Sequence, residues 1–390
     1  MFNSLPRRHL IAAAALGALG ITAARSETEA LKIGVILPMT GPSASTGRQI
    51  DGAIKLWMSQ TGGKIGSRKV EVLIKDDGGV ADTTRRLAQE LVVNDRVVAL
   101  GGFGLTPLAL ATAPIATQSK TPMVVMAAGT SSITEASPYI TRTSFTLPQA
   151  AVSLAEWASK NGIKKVVTLV TDFGPGNDAE KFFGDRFQLN SGQVMEKLRT
   201  PLRSPDFAPV LQKVRDIKPD ALFVFLPSGQ GAQFMKQFGE RGLDKSGIKL
   251  IATGDVTDDD QLNDMGDVAL GVVNSHHYSA AHNSPANKKF VAEFMAMNKF
   301  RPNFMAVGGY DGMRILFKGL ESTKGAGGDA LMAALKGQIF ESPRGPVLID
   351  AQTRDIVQDI YIRKVEKVDG QLWNIEFATI KSVKDPGKLK

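Results

Sequence analysis

Short apolar runs alternate with helical patterns along most of the chain, and this alternation limits the fold more than any other feature. The run KIGVIL at 32–37 is apolar on both faces of a strand, and a helix predicted over 47–60 follows it. That helix presents one apolar face, made by Ile50, Ala53, Ile54, Trp57 and Met58. Strands that are buried on both faces and separated by helices form parallel sheets covered by helices. The pattern therefore predicts a doubly wound α/β fold.

The alternation starts afresh near residue 150, which indicates a second sheet. Apolar runs at 165–170, 220–226 and 248–254 are again separated by helical patterns. Further helical patterns and β-like runs follow towards the end of the chain, and 390 residues suffice for two domains. Two separately wound sheets with elements left over predict two Rossmann-like lobes between which the chain crosses more than once.

The first 26 residues have the composition of an export signal. Arg7 and Arg8 precede the apolar run IAAAALGALGIT, and small residues follow at 22–24. The paired arginines fit a twin-arginine signal, and a Sec signal is the alternative. Because the chain has no cysteine, the signal is not of the lipoprotein kind and the mature protein has no disulfide. We expect a protein exported to the periplasm.

The positive charge of the chain does not indicate a nucleic-acid partner. The 47 basic and 39 acidic residues give a net charge of +8, but the basic residues are scattered and lack interleaved aromatic residues. Two interpretations stay open: an ordinary solvated surface, or a mild preference for anionic ligands.

The loops that follow the predicted strands carry the candidate binding chemistry, because ligands of doubly wound sheets bind at the carboxyl ends of strands. In the first half, the loops 40–47, 101–107 and 127–132 are rich in glycine and hydroxyl residues, which suit a carboxylate or another small anion. Helix capping is the alternative role for these hydroxyl residues. The second-half loops bring Phe173 and Asp255. Asp255 is either a turn residue or a ligand contact.

Motifs of catalysis are missing from the sequence. It contains no P-loop, no HExxH, no GxSxG and no GxGxxG after a strand, and cysteine nucleophiles are excluded. His276 and His277 have no third ligand for a metal, so they are interpreted as binding-loop or hinge residues. We expect a binding protein with no catalytic residues, no metal site and no cofactor.

An ordered series of motifs resembles the Leu/Ile/Val-binding-protein family, the type I periplasmic solute-binding proteins of ABC transporters. The motifs are IGVILPMTGPSASTG, KDDGG, ALGGFGLT, MAAGTSS and SPANKKF. The resemblance implies two α/β lobes joined by three crossovers and closing on one ligand by a hinge motion. We expect the first lobe at 27–147 plus 278–345 and the second at 148–277 plus 346–390.

The resemblance also implies where the ligand binds. Hydroxyl and backbone groups of the first lobe would hold a carboxylate, and Asp255 would hold an ammonium group if the ligand is an amino acid. Tyrosines of several relatives are replaced by Thr46, Pro175 and Ser228, and aromatic residues suit an aromatic carboxylate. The expected ligand-binding residues are Thr46, Phe103, Leu105, Thr106, Ala128, Gly129, Thr130, Phe173, Pro175, Ser228, Asp255, His277 and Tyr278.

Taken together, the sequence predicts the periplasmic substrate-binding component of an ABC importer. Its ligand would be an amino acid or a small organic, in one alternative aromatic, carboxylate. The expected partners are this ligand and the permease subunits, with no nucleic acid, and the protein would be a monomer. A ligand sensor of the same fold that acts with a receptor or regulator is the alternative, and an exported hydrolase is a third class.

Overall fold

A computed structural model describes residues 29–389, and within them the chain forms two sheets. The signal peptide predicted over 1–26 lies outside the described residues. The first sheet has the strand order β2-β3-β1-β4-β5-β6 and is parallel except for the β2–β3 hairpin. Its strands and the helices between them are β1 Leu31–Leu37, α1 Ala44–Thr61, β2 Lys64–Ile65, β3 Arg68–Asp76, α2 Ala81–Val93, β4 Ala99–Gly102, α3 Thr106–Ser119, β5 Met123–Val125 and β6 Ile140–Arg142.

The second sheet begins after a long helix and is wound in the same way. Its parallel part has the order β11-β10-β9-β7-β8. The elements of this part are α4 Leu147–Lys160, β7 Lys165–Thr171, α5 Gly174–Leu189, β8 Gln193–Thr200, α6 Ala208–Ile217, β9 Ala221–Phe225, α7 Gly231–Glu240, β10 Lys249–Thr253 and β11 Val273–His276.

The remaining third of the chain returns to the first lobe and then completes the second sheet. Four antiparallel strands extend this sheet beyond β11 in the order β14-β13-β12, with β15 paired to the other part of β14. These last elements are α8 Pro285–Asn298, α9 Phe304–Ser322, α10 Gly328–Leu335, β12 Ile339–Ser342, β13 Gly345–Ile349, β14 Ile356–Val368 and β15 Gln371–Val383. Short 3-10 helices lie at Ser131–Glu135, Leu243–Lys245, Leu262–Ala269 and Pro386–Lys388.

The chain passes between the two sheets three times: between β6 and α4, between β11 and α8, and between α10 and β12. This architecture confirms the predicted fold class of two doubly wound lobes. The predicted lobe boundaries stay a prediction. They assign 339–345 to the first lobe, whereas β12 pairs with β13 in the second sheet, because the third crossover comes before residue 339.

The glycines of α9 let this helix pack closely against the first sheet and α1. A Cβ atom on Gly308 would lie 2.1 Å from the carbonyl oxygen of Met126, and one on Gly309 would lie 2.9 Å from Ile50 Cγ2. Both distances are far below van der Waals contact, so neither position accepts a larger residue without a shift. The helix thereby supports the backbone just before the loop 127–132.

A buried arginine ties the first crossover to its neighbours. Arg344 forms an ion pair of 2.9 Å with Asp311, and both side chains are fully buried. The same guanidinium donates to the carbonyl oxygens of Thr143 and Ser144 at 2.9 Å each. These hydrogen bonds to a buried charge offset part of its desolvation and fix its position. We infer that Arg344 ties the first crossover to α9 and to the turn between β12 and β13.

Candidate ligand-binding site

A cavity lies between the two lobes. Residues at the carboxyl ends of strands from both sheets form its walls, as expected for a doubly wound fold. Nine of the residues expected to bind ligand line the cavity, namely Thr46, Leu105, Thr106, Ala128, Gly129, Phe173, Pro175, Ser228 and Asp255.

Two helix starts form part of the first-lobe wall. Ser43 precedes α1, Leu105 precedes α3, and neither makes a side-chain capping hydrogen bond within the described chain. In α1 the amides of Ala44 and Thr46 donate to Gly41 and Ser43, whereas the Thr106 amide of α3 has no acceptor among the described residues and remains available to an anion. The expected capping role of the 40–47 loop therefore does not apply to Ser43, which lines the cavity instead.

Thr106 is placed at the cavity by a second hydroxyl. Its Oγ1 lies 2.8 Å from Oγ1 of Thr130, and both residues are at least nine-tenths buried. One hydroxyl of such a pair donates to the other, which leaves the second proton free for another acceptor. Thr130 itself is not among the residues that line the cavity; it lies behind Thr106 and orients it.

The loop 127–130 is held from behind by Arg142. This fully buried guanidinium donates to the carbonyl oxygens of Ala128 at 3.1 Å and Thr130 at 2.7 Å, and its Nε lies 2.7 Å from an Asp355 oxygen. The loop carbonyls are thus occupied. None of the hydrogen bonds found within residues 29–389 uses the amides of Gly129 or Thr130 as donors.

The second-lobe wall is aromatic where α5 begins. Phe173 is the residue before the helix, has an extended backbone, and stacks on Phe225 with ring centroids 6.0 Å apart. Pro175 follows in the first turn and also lines the cavity. A Cβ atom on Gly176 would lie 1.8 Å from the Thr171 carbonyl oxygen, so this helix can start where it does only with glycine there.

Asp255 is the one charged residue among those that line the cavity in the described part of the chain. Its side chain is 5% exposed, and its Oδ2 atom makes no hydrogen bond within residues 29–389. The nearest basic nitrogen is His276 Nε2, 3.5 Å away. Burial lowers the pKa of His276 to about 4, in spite of the opposing effect of Asp255. The imidazole is therefore uncharged at neutral pH and forms no ion pair with Asp255.

Four expected residues do not reach the cavity wall. Phe103 has a φ of 67° and is fully buried in the core of the first lobe, where its backbone bonds to Ile36 and Ala128. His277 and Tyr278 are fully buried at the second crossover. The His277 ring stacks on Phe145, burial lowers its pKa, and the Tyr278 carbonyl accepts from a buried arginine. Thr130 is the fourth.

Several lining residues were not foreseen in the sequence. Phe145 and Leu147 come from the first crossover, Phe225 ends a strand, and Met305 is near the start of α9. From the sequence alone, such residues are interpreted as ordinary core residues because they are apolar and lie outside the strand-end loops. Ser43, Gly104 and Ala127 also line the cavity and lie within loops that the sequence had indicated, and Pro227 lines it next to the expected Ser228.

The lobes touch each other around the cavity. Ser45 Oγ of α1 donates to Asp260 of the second lobe at 2.7 Å. The Ser131 amide donates to Asp178 at 2.8 Å, and Asn303 Nδ2 donates to Asp258 at 3.0 Å. The structure is thus a closed arrangement of the lobes, and a ligand in the cavity is covered from both sides.

A two-lobed α/β fold with one cavity between its lobes defines the class of solute-binding proteins. The family described as periplasmic binding protein matches residues 30–371, and the chain belongs to this family. The resemblance to the Leu/Ile/Val-binding proteins is confirmed: the chain is 43% identical over 384 residues to Leu/Ile/Val-binding protein homolog 6 of Brucella abortus, covering 97% of this chain and 98% of that protein. This is a family of binding proteins and not of enzymes.

Two solved structures show the similarity in three dimensions. A solute-binding protein of an ABC transporter from Rhodopseudomonas palustris BisB5, in complex with 3,4-dihydroxybenzoic acid, is 61% identical with a TM-score of 0.91, covering 93% of this chain and 100% of that one. A second R. palustris solute-binding protein, in complex with 4-hydroxybenzoate, is 40% identical with a TM-score of 0.89 at the same coverage.

Proposed function

We propose that this protein binds a small aromatic carboxylate in the periplasm and delivers it to the permease of an ABC importer. The observation that carries the proposal is the cavity wall: it is mainly apolar and aromatic, with hydroxyls and the start of α3 on the first lobe. Phe173, Phe225 and Phe145 line the cavity and supply its aromatic surface. Pairs of aromatic rings add about 0.5–1.5 kcal/mol beyond the burial of their surface.

The carboxylate of the ligand binds at the first lobe in this proposal. Thr106 and the amides of Gly129 and Thr130 supply donors there, and the start of α3 supplies a favourable dipole. Asp255 on the second lobe would repel a carboxylate, since two like charges in a buried cavity interact strongly. The electrostatics of the two walls therefore favour one orientation, with the carboxylate away from Asp255.

Closure of the lobes supplies the signal for delivery. A ligand that contacts both walls binds the closed form more tightly than the open form, so it shifts the population towards closure. The permease would then recognise the closed form. No chemical step is required of the protein.

The relatives support an aromatic ligand over a branched-chain amino acid. Both R. palustris proteins are described in complex with hydroxylated benzoates. The Brucella relative carries an amino-acid-binding name, and Asp255 could accept an ammonium group. The aromatic lining and the loss of the relatives' tyrosines favour the aromatic acid.

A thermal-shift panel on ligand-stripped mature protein tests the proposal. The panel compares benzoate and hydroxylated benzoates with leucine, isoleucine, valine and aliphatic carboxylates. A ligand with micromolar Kd at millimolar concentration adds about 4 kcal/mol of stability. We expect stabilisation by the aromatic acids alone. Stabilisation by the branched-chain amino acids, with none by any aromatic acid, would overturn the proposal.

A further inference from the structure

We infer that Asp255, with Ser228 beside it, selects ligands that carry a hydroxyl group on the ring at the end opposite the carboxylate. The inference rests on the proposed function and adds a requirement to it: the second lobe recognises a hydrogen-bond donor, so an aromatic acid without one binds poorly. Its basis is a pair of buried polar groups on the cavity wall that the protein leaves without partners.

The first observation is the unsatisfied carboxyl oxygen. Asp255 lines the cavity and is 4% exposed, yet Oδ2 finds no hydrogen-bond donor within residues 29–389. The nearest ring nitrogen, His276 Nε2, is 3.5 Å away, which is too far for a strong hydrogen bond. Buried carboxyl oxygens are nearly always hydrogen-bonded, so an unpaired one in a residue that lines a cavity points to a donor on the ligand.

The second observation is Ser228 on the neighbouring strand end. Ser228 also lines the cavity and is 9% exposed. It lies beside Asp258, but its hydroxyl makes no hydrogen bond within the described chain. A serine hydroxyl both donates and accepts. One ligand hydroxyl could therefore donate to Asp255 and accept from Ser228, which satisfies both groups at once.

Among the described residues, the rest of the second-lobe wall offers a ring hydroxyl no other polar side chain. The neighbouring lining residues are Phe173, Pro175, Phe225 and Pro227. A methyl group in place of the hydroxyl would fit the apolar wall but would leave the Asp255 carboxyl desolvated and unpaired. Sites that hydrogen-bond a ligand hydroxyl reject analogues without it for this reason, often by several orders of magnitude.

The test is isothermal titration calorimetry with benzoate, 4-hydroxybenzoate, 3-hydroxybenzoate and 4-methylbenzoate. The methyl compound matches the size of the 4-hydroxy compound and lacks its donor. We expect a hydroxylated acid to bind at least roughly hundredfold more tightly than 4-methylbenzoate. The position that gains most, 3 or 4, shows where the hydroxyl meets Asp255.

Two variants separate selection from a general effect on folding. Asp255→Ala should remove most of the preference, so that 4-methylbenzoate binds as well as or better than 4-hydroxybenzoate. Ser228→Ala should reduce the preference by a smaller factor. Because Asp255→Ala is expected to keep or gain affinity for the methyl compound, that binding itself shows that the variant is folded.

The outcomes distinguish this inference from the proposed function. Equal affinity for hydroxylated and methylated acids in the native protein overturns the role of Asp255 and leaves the aromatic ligand intact. If Asp255→Ala still prefers the hydroxylated acid over 4-methylbenzoate, the role of Asp255 is likewise overturned and the aromatic ligand is left intact. Binding of leucine and of none of the benzoates overturns the proposed function itself.

Discussion

Thr106 shows how a single hydroxyl acquires a binding role from its neighbours. It is the first residue of α3, where a backbone N–H has no acceptor in the helix, and its hydroxyl already contacts Thr130 at 2.8 Å. Both the amide and the hydroxyl thus lie at one point of the cavity wall. A ligand carboxylate bound there would receive charge-assisted hydrogen bonds, which are the strong ones.

Replacement of Thr106 by valine removes the hydroxyl and keeps the shape. We expect the Kd for an aromatic carboxylate to rise roughly tenfold to hundredfold, since a hydrogen bond to a charged group contributes about 1.5–3 kcal/mol. Titration calorimetry measures the change. Thr112→Val is the matched control: Thr112 is buried in the same helix, and its hydroxyl bonds to the Leu108 carbonyl at 3.2 Å. Equal effects of Thr106→Val and Thr112→Val on the Kd would contradict the assignment of Thr106 to the carboxylate site.

Residue types predict some positions of the cavity and miss others. The hydroxyl and glycine residues that follow strands indicated Thr46, Thr106 and Gly129. Such residues let a loop backbone and its hydroxyls come close to a small anion. Phe145 carries no such signal, since a phenylalanine in an apolar segment normally packs in a core. Phe103 shows the converse: it stands among glycines, yet it packs in the first-lobe core.

At the scale of elements, the start of α5 decides where the aromatic wall lies. The helix spans Gly174–Leu189, so the GPG sequence belongs to its first turn. Proline fits the first turn of a helix because the N–H that it lacks would have no acceptor within the helix at that position. The two glycines allow close approach: a Cβ on Gly174 would lie 2.8 Å from Thr130 Oγ1 of the other lobe.

Gly176→Ala tests this arrangement. The new methyl would meet the Thr171 carbonyl oxygen at 1.8 Å, so the helix start must shift and carry Phe173 with it. We expect a loss of about 1–3 kcal/mol of stability and weaker ligand binding, measured by denaturation and calorimetry. Gly184→Ala in the same helix meets only Val194 at 3.8 Å and should stabilise by about 0.5–1 kcal/mol. Unchanged ligand affinity in Gly176→Ala would contradict this view of the wall.

Most elements were predictable from periodicity, and the misses have two physical causes. β2, β6 and β12 have only two to four residues, too few to show a period. β15 has 13 residues but pairs with β14 alone and is largely exposed beyond its first few residues. Its stability comes from that pairing, so its sequence needs no continuous apolar run.

At the scale of the whole molecule, function depends on the two lobes meeting around the ligand. Ser45 and Asp260 bond across the cleft at 2.7 Å, and Asn303 reaches Asp258 from the first lobe. The number of lobes was predictable because each sheet has its own strand and helix pattern. The inter-lobe contacts were not, because they join residues about 45 to 215 positions apart in the chain.

The measurement that tests the account most directly is a crystal structure of the mature protein with 4-hydroxybenzoate. The account predicts the ring between the lobes, its carboxylate within hydrogen-bond distance of Thr106 Oγ1, and its hydroxyl on Asp255. The same inter-lobe contact of Ser45 with Asp260 should be present. A carboxylate bound at the second lobe, or a ligand outside this cavity, would contradict the account.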